Sequence, residues 1–198
     1  MNKNFTELAF TESVKGVQEE YGSRAAYSRM EESGDRYILT DKETTFIESL
    51  DSFFIATVGE NGWPYMQFRG GPKGFLKKID DTTIGMADFR GNRQYISVGN
   101  IKVSGKAALF LIDYPSQTRL KIWTESEVLD TDQNQALLDK VALPDYNAVI
   151  ERLIIFKIQA YDWNCPQHIT PRYTAEEIKE GMITLDPEMI KSCCPDDA

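Results

Sequence analysis

The sequence predicts a mainly β protein, an antiparallel β-barrel with peripheral helices. Six or seven short segments rich in β-branched and aromatic residues follow one another between residues 51 and 161. Most of them are joined by the short turn signals that are typical of β-hairpins. No strand–helix–strand unit is evident, so a doubly wound parallel sheet is not expected.

The first fifty residues predict helices rather than strands. Two helices are expected before residue 33, over Thr11–Tyr21 and over Ser23–Glu32. Thr40-Asp-Lys-Glu43 has the spacing of a capping box and opens a third helix that runs through Leu50. We therefore predict a helical arm over residues 1–50, which acts as a cap or packs on a partner.

The barrel strands are predicted as three hairpins and one long final strand. They are Phe53–Val58 with Trp63–Arg69, Phe75–Ile79 with Thr82–Ala87, Lys106–Tyr114 with Arg119–Leu129, and Val149–Tyr161. The turns are marked by Asn61-Gly62, Asp80-Asp81 and Pro115-Ser116.

Two helices are predicted within the barrel domain and one after it. Asn92–Val98 is expected to be helical and closed by Gly99, and Thr131–Val141 is expected to be a helix that ends before Pro144. The barrel domain is predicted over residues 51–173. A helical tail over residues 174–198 begins with the capping-box pattern Thr174-Ala-Glu-Glu177.

Charge and composition narrow the function classes. A protein with a net charge of −9 and a pI near 4.7 is repelled by nucleic acid and by anionic membrane surfaces, so neither is an expected partner. The first ten residues lack a signal-peptide pattern, and no apolar run approaches the length of a membrane span. The three cysteines, Cys165, Cys193 and Cys194, make a poor disulfide framework, so we expect a cytoplasmic protein.

Two segments concentrate cations among glycines. They are Gln67-Phe-Arg-Gly-Gly-Pro-Lys-Gly74 and Ala87-Asp-Phe-Arg-Gly-Asn-Arg-Gln94, with the cations Arg69, Lys73, Arg90 and Arg93. Arginine forks bind phosphate oxygens, and glycine lets backbone N–H groups approach an anion. A helix beginning near Gly91 would direct its first amides to the same place. The alternative is that these are solvated turn residues at strand ends.

The same segments resemble the FMN-binding split-barrel family that includes pyridoxamine 5′-phosphate oxidase, especially its general-stress and flavin-nucleotide-binding relatives. The matching motifs, in order, are Gln67-Phe-Arg69, Phe89-Arg-Gly-Asn-Arg93, Gly99-Asn100 and Ala107-Ala-Leu-Phe-Leu-Ile-Asp113, and the resemblance spans about Phe46 to Tyr173. It implies a split barrel with FMN as cofactor and a homodimer with the flavin at the subunit interface.

The resemblance also implies which residues hold the cofactor. Arg69 and Arg93 are the expected phosphate ligands, with Asn92 and Lys73 assisting, and Gln67 and Gln94 border the same site.

A second cluster, Tyr161-Asp-Trp-Asn-Cys-Pro-Gln-His-Ile-Thr-Pro-Arg-Tyr173, follows the last strand. In the resembling family this segment approaches the flavin of the neighbouring subunit. By that resemblance Trp163 flanks the ring, Gln167 and His168 bond its polar edge, and Arg172 attracts an anionic substrate or a phosphate. The alternative is that Trp163 is a core residue and His168 is a satisfied polar side chain.

The family's C-terminal signature of paired basic residues for pyridoxal phosphate is absent. The resemblance therefore does not extend to vitamin B6 oxidation. The expected function is that of an FMN-dependent oxidoreductase acting on an unidentified small molecule, with no catalytic residue assigned. The alternative is a flavin-nucleotide carrier or sensor without turnover.

Other chemistries are less well supported. Cys165-Pro-Gln-His168 has a ligand-like spacing and Cys193-Cys194 supplies two thiols, yet adjacent cysteines chelate one ion poorly, so no metal is expected. A single histidine and the lack of a recognisable serine–aspartate arrangement disfavour a triad hydrolase. Trp123, on an alternating strand, suits either the dimer interface or the flavin.

Overall fold

The computed structural model describes residues 5–31, 36–164 and 166–179. Its seven strands are β1 (Ser52–Val58), β2 (Pro64–Gly70), β3 (Leu76–Asp80), β4 (Thr83–Phe89), β5 (Lys106–Asp113), β6 (Thr118–Leu129) and β7 (Ile150–Asn164). Its helices are α1 (Phe5–Ala9), α2 (Glu12–Glu20), α3 (Arg24–Glu31), α4 (Asp41–Ser49), α5 (Ile96–Ser104), α6 (Gln135–Val141) and α7 (Ala175–Lys179).

The seven strands form one antiparallel sheet in the order β2-β1-β5-β6-β7-β4-β3. β2 and β3 follow each other in the chain but lie at opposite edges of the sheet. The sheet therefore curls without closing, as expected for a split barrel. The predicted mainly β fold with peripheral helices is confirmed.

Alternation along the strands decides which side chains face the core. In β1, Phe53 and Ile55 are buried and Phe54 and Ala56 point to the other face. The same alternation buries Leu109 and Leu111 on β5 and Leu120 and Ile122 on β6. Each such burial contributes roughly 1.5–3 kcal/mol, so this inner face is the main stabilising layer.

β7 is buried on both faces over Leu153–Phe156. Ile154 and Phe156 face the barrel core, whereas Leu153 and Ile155 pack beneath α6 with Val141. A strand that is covered on both faces needs no alternation of polar and apolar residues, which explains the continuous apolar run Leu-Ile-Ile-Phe in the sequence.

α4 begins as predicted. The Thr40 hydroxyl caps the helix, Glu43 accepts a hydrogen bond from the Thr40 backbone N–H at 3.1 Å, and both bonds of the capping box are present. Ile47 and Leu50 lie in the barrel core. α7 begins with the predicted Thr174 to Glu177 pair as well.

The predicted helix over Asn92–Val98 is wrong in position. The structure places the helix at Ile96–Ser104 and closes it at Gly105, which has a left-handed φ of +62°. Asn92 accepts a hydrogen bond from the Gln94 backbone N–H at 3.2 Å, a local turn that competes with helix formation. Gly99 lies inside the helix instead of ending it.

Two further boundaries differ. The helix predicted over Thr131–Val141 is split at Asn134 into a 3-10 turn and α6, because Asn134 leaves the helical region and bonds the Asp130 carbonyl. The last strand continues to Asn164 because it pairs with β6 as far as Arg119.

Candidate functional site

An ion pair spans the open side of the barrel. Arg69 of β2 donates to Asp88 of β4 at 2.5 Å, and Arg152 of β7 donates to the other oxygen of Asp88 at 3.0 Å. Arg69 and Asp88 are 14% and 4% exposed. β2 and β4 share no backbone pairing, so this contact holds together strands that the sheet leaves separate.

Asp88 is a buried carboxylate between two cations. Burial raises its pKa, and the charges of Arg69 and Arg152 oppose that rise. A lone carboxylate at such a position would be costly, so the two arginines are what make an ionised Asp88 tolerable here.

A second carboxylate extends the network towards solvent. Glu151 accepts from Arg152 at 2.7 Å, from Arg90 at 2.9 Å and from the Tyr95 hydroxyl at 3.2 Å. The hydrogen bond from Arg90 lowers the pKa of Glu151. Burial opposes this, and the hydrogen bond from Tyr95 and the charges of Arg152 and Arg90 add to the lowering. The Arg152 guanidinium also lies 4.6 Å from the centroid of the Tyr95 ring.

Arg93 joins this network through Tyr95. Its Nε donates to the Tyr95 hydroxyl at 3.4 Å, which raises the pKa of the already cationic Arg93. We call Arg69, Arg90, Arg93 and Arg152, with Asp88, Glu151 and Tyr95, the arginine cluster. Its four guanidinium groups face two carboxylates, so it carries surplus positive charge in an otherwise acidic protein.

The backbone at the start of α5 is strained. Arg93 and Tyr95 adopt left-handed φ values of 63° and 56°. Non-glycine residues rarely adopt this conformation, which costs about 1–3 kcal/mol and is concentrated at functional sites. No side chain caps the helix at Tyr95, so the first N–H groups of α5 have no capping partner within the part of the chain that the structure describes.

Gln67 reaches the same helix from β2. Its side-chain oxygen accepts a hydrogen bond from the hydroxyl of Ser97, in the first turn of α5, at 2.8 Å. Five of the residues predicted from the sequence therefore lie around the start of α5 and the arginine cluster: Gln67, Arg69, Asn92, Arg93 and Gln94. Asn92, Arg93 and Gln94 are exposed.

The other predicted residues lie elsewhere in the subunit. Lys73 and Arg172 line a cavity of about 440 Å³, together with Tyr114, whose ring centroid lies 4.7 Å from the Arg172 guanidinium. Gln167 and His168 are exposed in the turn after β7, where His168 has a left-handed φ of 67°. Cys165, Cys193 and Cys194 lie outside the described residues.

Trp163 is engaged by its own subunit. Its indole N–H donates to Glu43 at 2.8 Å, its ring packs edge-on against Phe46 at 4.8 Å, and the Lys42 ammonium lies 4.6 Å from its ring centroid. Within the subunit these contacts correspond to the core-residue alternative that the sequence left open.

Four residues of the arginine cluster were not predicted from the sequence: Asp88, Tyr95, Glu151 and Arg152. The available signal was the charged pair Glu151-Arg152 directly before the apolar run of β7, because charges are rare at the entrance to a doubly buried strand. No sequence pattern reveals that these charges meet the cations of β2 and of the loop before α5.

Two features are absent from the described part of the chain. Over residues 5–31, 36–164 and 166–179, no group of three or more His, Cys, Asp or Glu side chains is placed to hold a metal ion. In those same residues, no helix has the length and apolar character needed to cross a bilayer.

Fold and site together define a mainly β split-barrel protein with a cationic site at a helix start. The sequence model of pyridoxamine 5′-phosphate oxidase matches residues 39–160, more than half of the chain. The chain therefore belongs to the pyridoxamine 5′-phosphate oxidase family, which is of a flavin-binding, oxidoreductase type. Among curated proteins, none matches the sequence.

Three solved structures are similar to part of the chain. A candidate pyridoxamine 5′-phosphate oxidase of Lactobacillus delbrueckii is 26% identical, with 64% of this chain and 94% of that chain covered and a TM-score of 0.47. HupZ of Group A Streptococcus is 16% identical, with 69% and 100% covered and a TM-score of 0.48. An FMN-binding protein of Syntrophomonas wolfei is 20% identical, with 62% and 83% covered and a TM-score of 0.47. These similarities are modest, so the family assignment rests on the sequence match.

Proposed function

We propose that the chain binds FMN, with the phosphate at the start of α5 beside the arginine cluster. The observation that carries this proposal is the combination of an uncapped helix start, two left-handed residues and surplus guanidinium charge at one place. Helix N-termini attract anions through free N–H groups and the helix dipole, and arginine adds charge-assisted hydrogen bonds.

The residues present fit a phosphate group. Arg93 is exposed and its only described polar contact is a weak one to Tyr95, so its guanidinium is available to an anion. The Nε of Arg69 is buried and makes no hydrogen bond in the described part of the chain. We assign Arg93 and the first backbone amides of α5 as the phosphate ligands. The guanidinium of Arg69 is hydrogen-bonded to Asp88, so we assign Arg69 a supporting electrostatic role.

Gln67, Asn92 and Gln94 have positioning roles in this proposal. Gln67 ties β2 to the first turn of α5, and Asn92 holds the loop in which Arg93 lies through its bond to the Gln94 backbone. When bound, the flavin supplies a ring that accepts and returns hydride. The protein's own part is to anchor the phosphate and orient the cofactor.

A homodimer is part of the proposal. The outer face of β1 and β2 exposes apolar side chains: Val58, Met66 and Phe68 are 49%, 67% and 59% exposed, and Trp63 in the adjoining turn is 74% exposed. Contiguous exposed apolar surface of this kind marks an interaction site. In such a dimer the exposed segment with Gln167, His168 and Arg172 is available to the flavin of the other subunit, while Lys73 and Arg172 supply charge for an anionic substrate.

Two functions fit a flavin in this setting. The one we favour is an FMN-dependent oxidoreductase of the cytoplasm that acts on a small molecule, in keeping with the oxidoreductase type of the family. The other is a flavin carrier or sensor without turnover, which is favoured by the engagement of both carboxylates of the arginine cluster, Asp88 and Glu151, in ion pairs with arginines.

The direct test is to purify the protein and record its visible absorbance. A bound flavin spectrum is expected, and titration of stripped protein with FMN should restore one flavin per chain. Anaerobic addition of NADH or NADPH should bleach the bound flavin if the protein is an oxidoreductase. If the flavin is bleached neither by NADH or NADPH nor by other enzymatic reducing systems, the carrier is favoured. If the protein binds no FMN at all, the proposal is overturned.

A further inference from the structure

Tyr95 joins two parts of the proposed phosphate site that are otherwise separate. Its backbone lies immediately before α5, and its carbonyl accepts the first hydrogen bond of the helix from the Gly99 N–H at 2.8 Å. Its side chain contacts Arg93 of the preceding loop and Glu151 and Arg152 of β7. One residue therefore connects the helix start with the guanidinium that we assign to the phosphate.

The direction of each hydrogen bond at the Tyr95 hydroxyl is fixed by its partners. The Nε of Arg93 is only a donor, and the ionised carboxylate of Glu151 is only an acceptor. The hydroxyl therefore accepts from Arg93 at 3.4 Å and donates to Glu151 at 3.2 Å. The two neighbours cannot exchange places, so this arrangement specifies where the Arg93 side chain lies.

The contact with Tyr95 leaves the fork of Arg93 open. Because Nε faces the Tyr95 hydroxyl, the two terminal nitrogens of the guanidinium remain, and they make no hydrogen bond to any residue that the structure describes. A pair of such N–H groups binds two phosphate oxygens in parallel. Tyr95 thus orients Arg93 without occupying the groups that an anion would bind.

The residues behind Tyr95 are anchored in the barrel. Glu151 accepts from Arg152 at 2.7 Å and from Arg90 at 2.9 Å. Arg152 also donates to the buried Asp88 at 3.0 Å, and its guanidinium lies 4.6 Å from the centroid of the Tyr95 ring, a cation–π distance. β4 and β7 therefore fix the ring and the hydroxyl of Tyr95, which passes that position on to the loop before α5.

The backbone conformation at Tyr95 also depends on these contacts. Its φ of 56° and ψ of 19° lie in the left-handed region. Glycine and asparagine adopt this conformation more readily than an aromatic residue. A tyrosine is therefore unfavourable here unless its side chain makes contacts that a smaller residue cannot make, as the ring and the hydroxyl do.

We propose that Tyr95 is the positioning residue that makes the site selective for a phosphorylated flavin. Its hydroxyl holds Arg93 where the guanidinium fork meets the phosphate, and its left-handed backbone sets the direction of the first amides of α5. This role of Tyr95 rests on the proposed function, because it requires the phosphate to lie at the start of α5.

The test compares FMN with riboflavin, which has the same ring and no phosphate. Equilibrium titration of stripped protein gives both dissociation constants. Tyr95→Phe keeps the aromatic ring and removes the hydroxyl, so it should weaken FMN binding about three- to tenfold and leave riboflavin binding unchanged. A merely structural residue would affect both flavins alike, so equal weakening, or no weakening of FMN binding, overturns the proposal.

A double-mutant cycle tests whether Tyr95 acts through Arg93. In the Arg93→Ala protein there is no guanidinium to position, so adding Tyr95→Phe should cause no further loss of FMN affinity. Additive losses would mean that the two residues act independently, and the proposal would be wrong.

Tyr95→Asn separates the backbone from the side chain. Asparagine tolerates the left-handed conformation, so the helix start is kept while the hydroxyl and ring contacts are lost. We expect FMN affinity to fall at least as far as in Tyr95→Phe. Normal FMN affinity in Tyr95→Asn would show that the backbone conformation alone is sufficient, against the proposal.

Tyr146→Phe is the matched control. Tyr146 is 41% exposed, against 40% for Tyr95, and its ring packs edge-on against Phe89 at 4.9 Å. The substitution removes one hydroxyl from a tyrosine of equal exposure and should leave the affinity for both flavins unchanged. Thermal unfolding of each variant checks that the fold is intact.

The wild-type protein distinguishes the two possible failures. If it binds no FMN, or binds FMN no more tightly than riboflavin, the phosphate site is wrong and the role of Tyr95 falls with it. If the wild type prefers FMN and Arg93→Ala removes that preference while Tyr95→Phe keeps it, the proposed function stands and only the role of Tyr95 is overturned.

Discussion

Trp163 donates its indole N–H to Glu43 at 2.8 Å, a contact between residues 120 positions apart in the chain. Glu43 is also the capping-box acceptor of α4, so one carboxylate begins the helix and anchors it to the end of β7. The helix that closes this end of the barrel is thereby held by a polar contact as well as by the burial of Ile47 and Leu50.

We expect Trp163→Phe to lower the free energy of unfolding by about 1–2 kcal/mol, because the aromatic packing is kept and the hydrogen bond to Glu43 is lost. Urea denaturation measures the change. Trp63→Phe, at an exposed position, should differ from wild type by less than about 0.5 kcal/mol. Unchanged stability together with weaker flavin binding in Trp163→Phe would show that the indole serves the cofactor instead.

The same carboxylate should make stability depend on pH. Burial acts to raise the pKa of Glu43, but hydrogen bonds from the Thr40 hydroxyl, Trp163 and the Thr40 backbone outweigh it and hold the pKa below its ordinary value of 4.5. Because the folded pKa is lowered, the stabilisation is fully present above pH 4.5 and is lost as pH falls through the folded pKa.

Glu43→Gln should therefore be less stable than wild type at neutral pH, and the difference should shrink below about pH 4.5. Denaturant unfolding at several pH values gives the comparison. Glu60→Gln, at an exposed hairpin residue, is the control and should keep the wild-type pH profile. A difference that grows towards low pH would contradict this account.

The ion pair across the open side of the barrel should matter for stability. Arg69→Met leaves Asp88 buried with one cation fewer, and we expect a loss of about 1–3 kcal/mol in unfolding free energy. Arg90→Met removes a pair whose cation is 54% exposed and should cost less than about 1 kcal/mol. Equal effects of the two substitutions would mean that burial of Asp88 is not what sets the cost.

Arg93→Ala should weaken FMN binding by about 1.5–3 kcal/mol, because it removes a charge-assisted contact to the phosphate. Equilibrium titration of stripped protein with FMN measures this loss, and titration with riboflavin, which has no phosphate, should show little change. Arg29→Ala makes the same charge change at an exposed residue of α3 and should bind FMN normally. Unchanged FMN affinity in Arg93→Ala would move the phosphate away from the start of α5.

The outer face of β2 should carry the dimer contact. Met66→Glu with Phe68→Glu places two charges on side chains that are 67% and 59% exposed. We expect the double variant to be monomeric in sedimentation equilibrium and to keep its fold. Lys102→Glu with Lys106→Glu, exposed on α5 and at the start of β5, changes the net charge by twice as much and should stay dimeric. A monomeric wild type that still holds flavin would refute the dimer.

Short sequence patterns were sufficient to predict most of the helices and strands. The hairpin turns, the alternation along β1, β5 and β6 and the capping box at Thr40 predict structure from neighbouring residues, and all are present. The helix after β4 was misplaced because its start depends on the left-handed Arg93 and Tyr95, a conformation that the contacts with Glu151 and Arg152 help to hold. No pattern among neighbouring residues predicts such long-range contacts.

The sequence by itself determined the mainly β class, the family resemblance and the segments that concentrate cations, because turn chemistry and strand period act over a few residues. Only the tertiary structure decided that Arg69 is held by Asp88, that Arg93 joins Glu151 through Tyr95, and that Trp163 anchors α4. These pairings join residues far apart in the chain, and they depend on how the curled sheet brings its strands and helices together.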